Sequence, residues 1–118
     1  YVDWDSDIVL TEGVFDAIKA GPNSIPLLGS TLRENSKLFQ EIVKNDAAVF
    51  VALDPDAEKK SLRIIKTLLS YGIETYKIDV SGYEDVGEMT KEEFLKRKTA
   101  ALPINAESFM VEEAINRL

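Results

Sequence analysis

The chain contains no cysteine and no histidine among its 118 residues. Disulfide bonds, cysteine nucleophiles, histidine general bases and zinc sites built from these residue types are therefore excluded within it. Only carboxylates, lysines, tyrosines and hydroxyl groups remain to carry chemistry. The composition thus predicts no zinc in this segment.

Long hydrophobic runs are also missing. Hydrophobic residues make up 45% of the chain, but no stretch approaches the roughly 18 apolar residues that are needed to cross a bilayer. No secretory signal is visible either. We therefore expect a soluble, globular protein with no membrane partner.

The chain also has no excess of positive charge. The formal net charge is −7, from 14 basic and 21 acidic residues. Non-specific binding of nucleic acid depends on lysine and arginine neutralising phosphates, so the chain is not expected to hold nucleic acid by itself. A bound metal ion or another module would have to supply the positive charge.

Alternating strand and helix patterns predict an α/β fold, with about four parallel strands and helices on both faces of the sheet. Buried strands are expected at residues 7–11, 24–28, 47–53 and 74–80. Helices are expected at residues 14–19, 32–43, 57–71, 91–98 and 105–118. A chain of 118 residues is typical of one domain. We therefore expect residues 1–118 to form a single domain, with its core over about residues 7–98 and a helix at its C-terminus. Because the chain begins with Tyr1 and not with Met, we expect it to be a piece of a longer protein.

Acidic residues follow two of the predicted strands. Glu12 follows the mostly apolar residues 8–11, and Asp54 and Asp56 follow the apolar residues 49–53. In an open parallel sheet, ligands bind outside the carboxyl ends of the strands, so these three carboxylates should point into one crevice. Crowded carboxylates repel one another unless a cation is bound, and Mg²⁺ prefers oxygen ligands. The residues alone therefore predict a site for Mg²⁺ (or Mn²⁺) that supports phosphoryl transfer.

Each candidate acid also has a purely structural interpretation. Glu12 beside Gly13 could be a solvated turn residue, and Asp56 could cap a helix that starts at residue 57. Asp16 could be a solvated residue in the first turn of a helix, stabilised by the helix dipole. The sequence leaves these alternatives open.

Four motifs, in this order along the chain, resemble the Toprim family, whose fold is shared by bacterial and phage primases, topoisomerases and some nucleases. They are Glu12-Gly13-Val14-Phe15-Asp16, Leu28-Gly29-Ser30, Asp54-Pro55-Asp56 and Glu84-Asp85-Val86-Gly87-Glu88. The primase branch is the most similar, over roughly residues 7–95. The chain departs from that branch at Lys59, where glycine is common, at Glu84, where lysine is usual, and at Gly87, where an acid or amide often lies.

The resemblance implies the catalytic domain of a DNA primase, which makes RNA primers on a single-stranded DNA template from ribonucleoside triphosphates. It also implies that the chain belongs to a longer primase or primase-helicase, working with a replicative helicase in the cytoplasm of a bacterial cell or a phage-infected host. A Toprim nuclease, a topoisomerase segment and a non-catalytic nucleic-acid-processing module are the alternatives. A topoisomerase would need a catalytic tyrosine outside this segment, and the intact acids argue against a non-catalytic module.

The resemblance also implies roles for individual acids. Glu12, Asp54 and Asp56 are expected to be catalytic and to hold the metal ion, and Asp85 is expected to support a second metal ion. Further candidates for nucleotide or phosphate binding are Asp16, Ser30, Lys59, Lys60, Arg63 and Glu88. The basic residues among them also fit a solvated helix face, and Ser30 also fits an N-cap of the following helix.

Overall fold

A parallel sheet of four strands lies at the centre of the computed structural model, which describes residues 2–117. The strands are β1 (Ile8–Thr11), β2 (Ser24–Pro26), β3 (Val49–Ala52) and β4 (Thr75–Lys77), in the spatial order β2-β1-β3-β4. Every residue of β1 and β3 is buried, because both faces of these strands are covered, and their sequences are accordingly almost entirely apolar. The predicted α/β fold with a four-stranded parallel sheet is confirmed.

Five α-helices lie within the same residues. They are α1 (Val14–Ala20), α2 (Lys37–Asn45), α3 (Glu58–Ser70), α4 (Lys91–Ala100) and α5 (Ala106–Asn116). Short 3₁₀ turns at Pro55–Ala57 and Val86–Glu88 precede α3 and α4. Between residues 2 and 117, no helix is both long enough and apolar enough to cross a membrane.

Apolar side chains pack on both faces of the sheet. One face packs against α2 and α3, in a cluster that includes Leu10, Phe39 and Ile65. The opposite face packs against α4 and the turn before it, in a cluster that includes Phe50 and Phe94. Alternate residues of β1 and of β3 supply the two clusters, because successive side chains of a strand point to opposite faces. This packing fixes β1 and β3, whose carboxyl ends carry the candidate site.

The helix starts depend on local capping. α4 begins as the sequence predicts, since the Thr90 hydroxyl accepts a hydrogen bond from the backbone N–H of Glu93 at 3.0 Å. α2 begins at Lys37 and not near residue 32, because the hydroxyl of Ser36 caps it by accepting the N–H of Phe39 at 3.1 Å. The N-cap position of α3 is Ala57, so the predicted capping of this helix by Asp56 is wrong.

The C-terminal part of the chain lies beside β4, the outermost strand on one side of the sheet. Pro103 pairs with Tyr76 of β4 in an isolated antiparallel bridge. α5 then packs through Phe109 against the cluster that α2 and α3 share. The predicted helix at 105–118 is therefore present, although its last residue, Leu118, lies outside the described residues, as does Tyr1.

Candidate functional site

The sheet brings the predicted acids to one edge. β1 and β3 are neighbours, and Thr11 of β1 lies opposite Ala52 of β3. Glu12 follows Thr11 directly, and Asp54 follows Ala52 after Leu53. Because the two strands run in the same direction, Glu12 and Asp54 lie at the same end of the sheet, just beyond the carboxyl ends of the strands. Ligands bind at this end in folds of this kind.

Glu12 forms an ion pair with Lys60 of α3. The Lys60 Nζ lies 2.9 Å from Oε1 of Glu12, and the two side chains are 13% and 24% exposed, respectively. The other carboxylate oxygen of Glu12, Oε2, is buried and has no hydrogen-bond partner among residues 2–117. The interpretation of Lys60 as part of a solvated helix face is therefore wrong, and so is that of Glu12 as a freely solvated turn residue.

Asp54 is the acid with the most perturbed ionisation in the site. Partial burial and the neighbouring charge of Asp16 raise its pKa to about 6, and the charges of Asp85 and Asp56 act in the same direction. A hydrogen bond from the backbone N–H of Val86 to Oδ1 of Asp54, at 3.2 Å, opposes this shift. Repulsion from neighbouring carboxylates thus adds to the effect of burial at Asp54.

An acidic pocket of about 530 Å³ opens beside Asp54. Its lining residues are Asp54, Pro55, Asp56, Tyr83, Glu84 and Asp85. Four of these six residues are acidic and none is basic, so the pocket favours a cation. Of the four predicted metal ligands, three therefore share one pocket, and Glu12 stands at the end of the neighbouring strand with Lys60 as its partner.

The acids of the pocket fit a hard divalent cation by their chemistry. Carboxylate oxygens are the ligands that Mg²⁺ takes, and a cation would relieve the repulsion at Asp54. As the side chains stand, no three acidic residues between positions 2 and 117 converge closely enough to surround one ion. Binding would therefore require rotation of the exposed Asp56 or of other side chains at the pocket.

Asp16 is buried, with 6% of its surface exposed. Its Oδ2 accepts a hydrogen bond from the N–H of Gly13 at 3.0 Å, and its Oδ1 accepts one from the N–H of Gly87 at 2.8 Å. The alternative of a solvated first-turn aspartate is therefore wrong. Asp16 joins the start of α1 to the turn at Val86–Glu88.

Three of the remaining candidates are exposed and are not among the lining residues of the acidic pocket. Lys59 and Arg63 are exposed, and they stay predictions as phosphate contacts. Ser30 is exposed and its hydroxyl donates to the carbonyl of Leu27; the predicted capping of α2 by Ser30 is wrong because Ser36 caps that helix.

Glu88 has a local role in the structure. Its Oε1 accepts hydrogen bonds from the backbone N–H groups of Glu84 at 2.8 Å and of Asp85 at 3.2 Å. In return, Oδ1 of Asp85 accepts the N–H of Glu88 at 3.0 Å. These reciprocal bonds form a capping box, which gives the loop that carries Asp85 a fixed shape.

Sequence reasoning misses two kinds of group in the site. The backbone N–H groups of Val86 and Gly87 contact Asp54 and Asp16, but an amide that any residue except proline could supply leaves no signal in a motif. Tyr83 lines the acidic pocket. The only available signal is its position directly before the pair Glu84 and Asp85.

The fold is similar to that of a solved bacterial enzyme. The crystal structure described as the Aquifex aeolicus primase (zinc binding and RNA polymerase domains) matches with a TM-score of 0.68 and 24% sequence identity. The match covers 85% of this chain and 27% of that one. The chain therefore spans about a quarter of the length of that structure, and at this identity the likeness establishes a shared fold.

Two other comparisons give no match. No protein-family model matches the chain. No curated protein matches it either.

Proposed function

We propose that this chain is the Toprim-type catalytic domain of a DNA primase, and that it joins ribonucleotides on a single-stranded DNA template. The observation that carries the proposal is the acidic pocket at the carboxyl end of β3, at the same end of the sheet as Glu12, which follows β1. The ordered motifs and the fold shared with the Aquifex primase support it. Most of such a primase would lie outside this chain.

The proposed cofactor is Mg²⁺ or Mn²⁺. Asp54, Asp56 and Asp85 would hold it, since all three line the acidic pocket. When bound, the cation would polarise the phosphate oxygens of the incoming nucleotide and offset their charge. The metal would also supply the positive charge that the pocket lacks for binding a triphosphate.

Glu12 is the proposed general base. In primer extension, the terminal hydroxyl of the primer loses its proton, its oxygen forms a bond to the α-phosphorus of the next nucleotide, and pyrophosphate leaves. The Glu12 carboxylate would accept that proton, while Lys60 holds its Oε1 at 2.9 Å and orients the side chain. Lys59 and Arg63, which are exposed on α3, are the proposed contacts to triphosphate or template.

Primer synthesis on a single-stranded template tests the proposal. In the primase that carries this chain, Glu12→Gln should lower ribonucleotide joining by about 100-fold or more, because the amide keeps the shape but loses the base. Asp5→Asn is the matched control, since Asp5 is exposed before β1 at the opposite edge of the sheet. Near-normal primer yield from Glu12→Gln would remove Glu12 from the mechanism. DNA nicking by the parent without nucleotide joining would replace the primase proposal with the nuclease alternative.

A further inference from the structure

Asp16 is a buried carboxylate with no ion-pair partner among the described residues. Both of its oxygens are engaged by backbone N–H groups, one from Gly13 and one from Gly87. A carboxylate in this state has its hydrogen bonds satisfied by the protein itself. It is therefore poorly placed to be a phosphate contact, for which it also carries the wrong charge.

The two glycines that contact Asp16 are closely fitted around it. A Cβ atom on Gly13 would lie 3.3 Å from Oδ2 of Asp16. A Cβ atom on Gly87 would lie 3.2 Å from Oδ1 of Asp16 and also 3.2 Å from Oδ1 of Asp85. Asp16 and Asp85 thus approach the same point, and the absence of a side chain at residue 87 leaves room for both.

A second carboxylate holds the same turn. The N–H of Val86 donates to Asp54, and the next N–H along the chain, that of Gly87, donates to Asp16. The residues that carry these amides directly follow Asp85, which lines the acidic pocket together with Asp54. The position of the turn therefore decides where Asp85 stands relative to Asp54.

We propose that Asp16 is a positioning residue. It anchors the acidic loop, residues 83–88, across the end of β3 and so sets the place of Asp85 beside Asp54. On this view Asp16 neither binds the metal ion nor contacts phosphate; it acts through the backbone of the turn. The part of this inference that concerns metal affinity rests on the proposed function, whereas the anchoring itself does not.

Hydrogen exchange tests the anchoring without any metal. In Asp16→Ala, both acceptor oxygens are lost, so Gly13 and Gly87 both lose their partners. In EDTA, the backbone N–H groups of residues 86–88 should then exchange about ten-fold faster than in the parent, while those of β3 are unchanged. Asp46→Ala is the matched control, because Asp46 is exposed on the opposite side of the sheet, before β3. Unchanged exchange at residues 86–88 would overturn the anchoring.

Calorimetry with Mn²⁺ tests the consequence for the site. Below the melting temperature of every variant, Asp16→Asn should bind Mn²⁺ about ten-fold more weakly than the parent, the size of effect seen when a group that orients metal ligands is lost. A purely structural role would lower the melting temperature and leave the Mn²⁺ affinity of the folded protein unchanged.

Gly87→Ala separates positioning from charge. This change removes no charge, but its Cβ would crowd Asp16 and Asp85. Positioning predicts weaker Mn²⁺ binding in Gly87→Ala as well, and a double variant with Asp16→Asn that is no weaker than the worse single variant. If Asp16→Asn weakens binding and Gly87→Ala does not, Asp16 acts as a ligand or through its charge, and the proposal is wrong.

If the parent itself binds no Mn²⁺, the proposed function and the consequence for metal affinity both fail, and hydrogen exchange alone decides the anchoring.

Discussion

Lys60 and Glu12 are 48 positions apart in the sequence, and their side chains meet at 2.9 Å at the edge of the sheet. Lys60 lies in the first turns of α3, and Glu12 ends the neighbouring strand β1. The pair therefore fixes the start of α3 against the strand end that carries the proposed general base. Because both side chains are mostly shielded from water, loss of one partner would leave the other charge shielded and unpaired, which costs more than breaking an exposed ion pair.

Replacing Lys60 with methionine should destabilise the metal-free chain. The change would leave the Glu12 carboxylate shielded and without its partner, at a cost of about 1 to 2 kcal/mol in the free energy of unfolding. Urea denaturation in EDTA measures this cost. Lys59→Met is the control and should change stability by less than about 0.5 kcal/mol, since Lys59 is exposed. Equal stability of the two variants would mean that the ion pair does not form in solution.

The stability of the metal-free chain should depend on pH through Asp54. Its pKa in the folded chain is about 6, against an ordinary value of 3.8, so between these values the folded state binds more protons than the unfolded state. Stability from this group therefore falls as pH rises from about 4 to about 6, and the loss is complete above that range.

Asp54→Asn removes this dependence while keeping an oxygen that can accept the N–H of Val86. In EDTA, the variant should melt at a higher temperature than the parent near pH 8, and the difference should shrink toward pH 4. Thermal unfolding across that pH range is the measurement. A variant that melts well below the parent near pH 8 would show that Asp54 is mainly a structural residue.

Single-stranded DNA should bind this chain weakly. The net charge is −7, and of the four basic residues of α3, Lys60 pairs with Glu12 and Lys66 with Glu113. Fluorescence anisotropy with a labelled oligonucleotide should give a dissociation constant weaker than about 100 μM in EDTA, and tighter binding with Mg²⁺ at matched ionic strength. Tight binding in EDTA that Lys59→Ala with Arg63→Ala abolishes would instead identify a phosphate-binding surface on α3.

The sequence predicts the fold well because the buried strands β1 and β3 are continuous apolar runs, and their parallel pairing brings Glu12 and Asp54 to one edge. It predicts the neighbours of these acids less well. Three features depend on how the helices are rotated against the sheet. They are the direction of the Lys60 side chain toward Glu12, the burial of Asp16, and the exposure of Val14 and Ile18 on α1. Periodicity within a helix as short as α1 does not fix that rotation, because tertiary contacts override it.

The most direct test of the account is calorimetry of Mn²⁺ binding to the chain and to its double variant Asp54→Asn with Asp56→Asn. The parent should bind Mn²⁺ in the millimolar range or tighter, and the double variant should bind about ten-fold more weakly or not at all. The control is Asp5→Asn with Asp46→Asn, which removes the same charge from exposed residues at the opposite edge of the sheet and should bind Mn²⁺ like the parent. Parent-like binding by the Asp54 and Asp56 variant would contradict the proposed metal site.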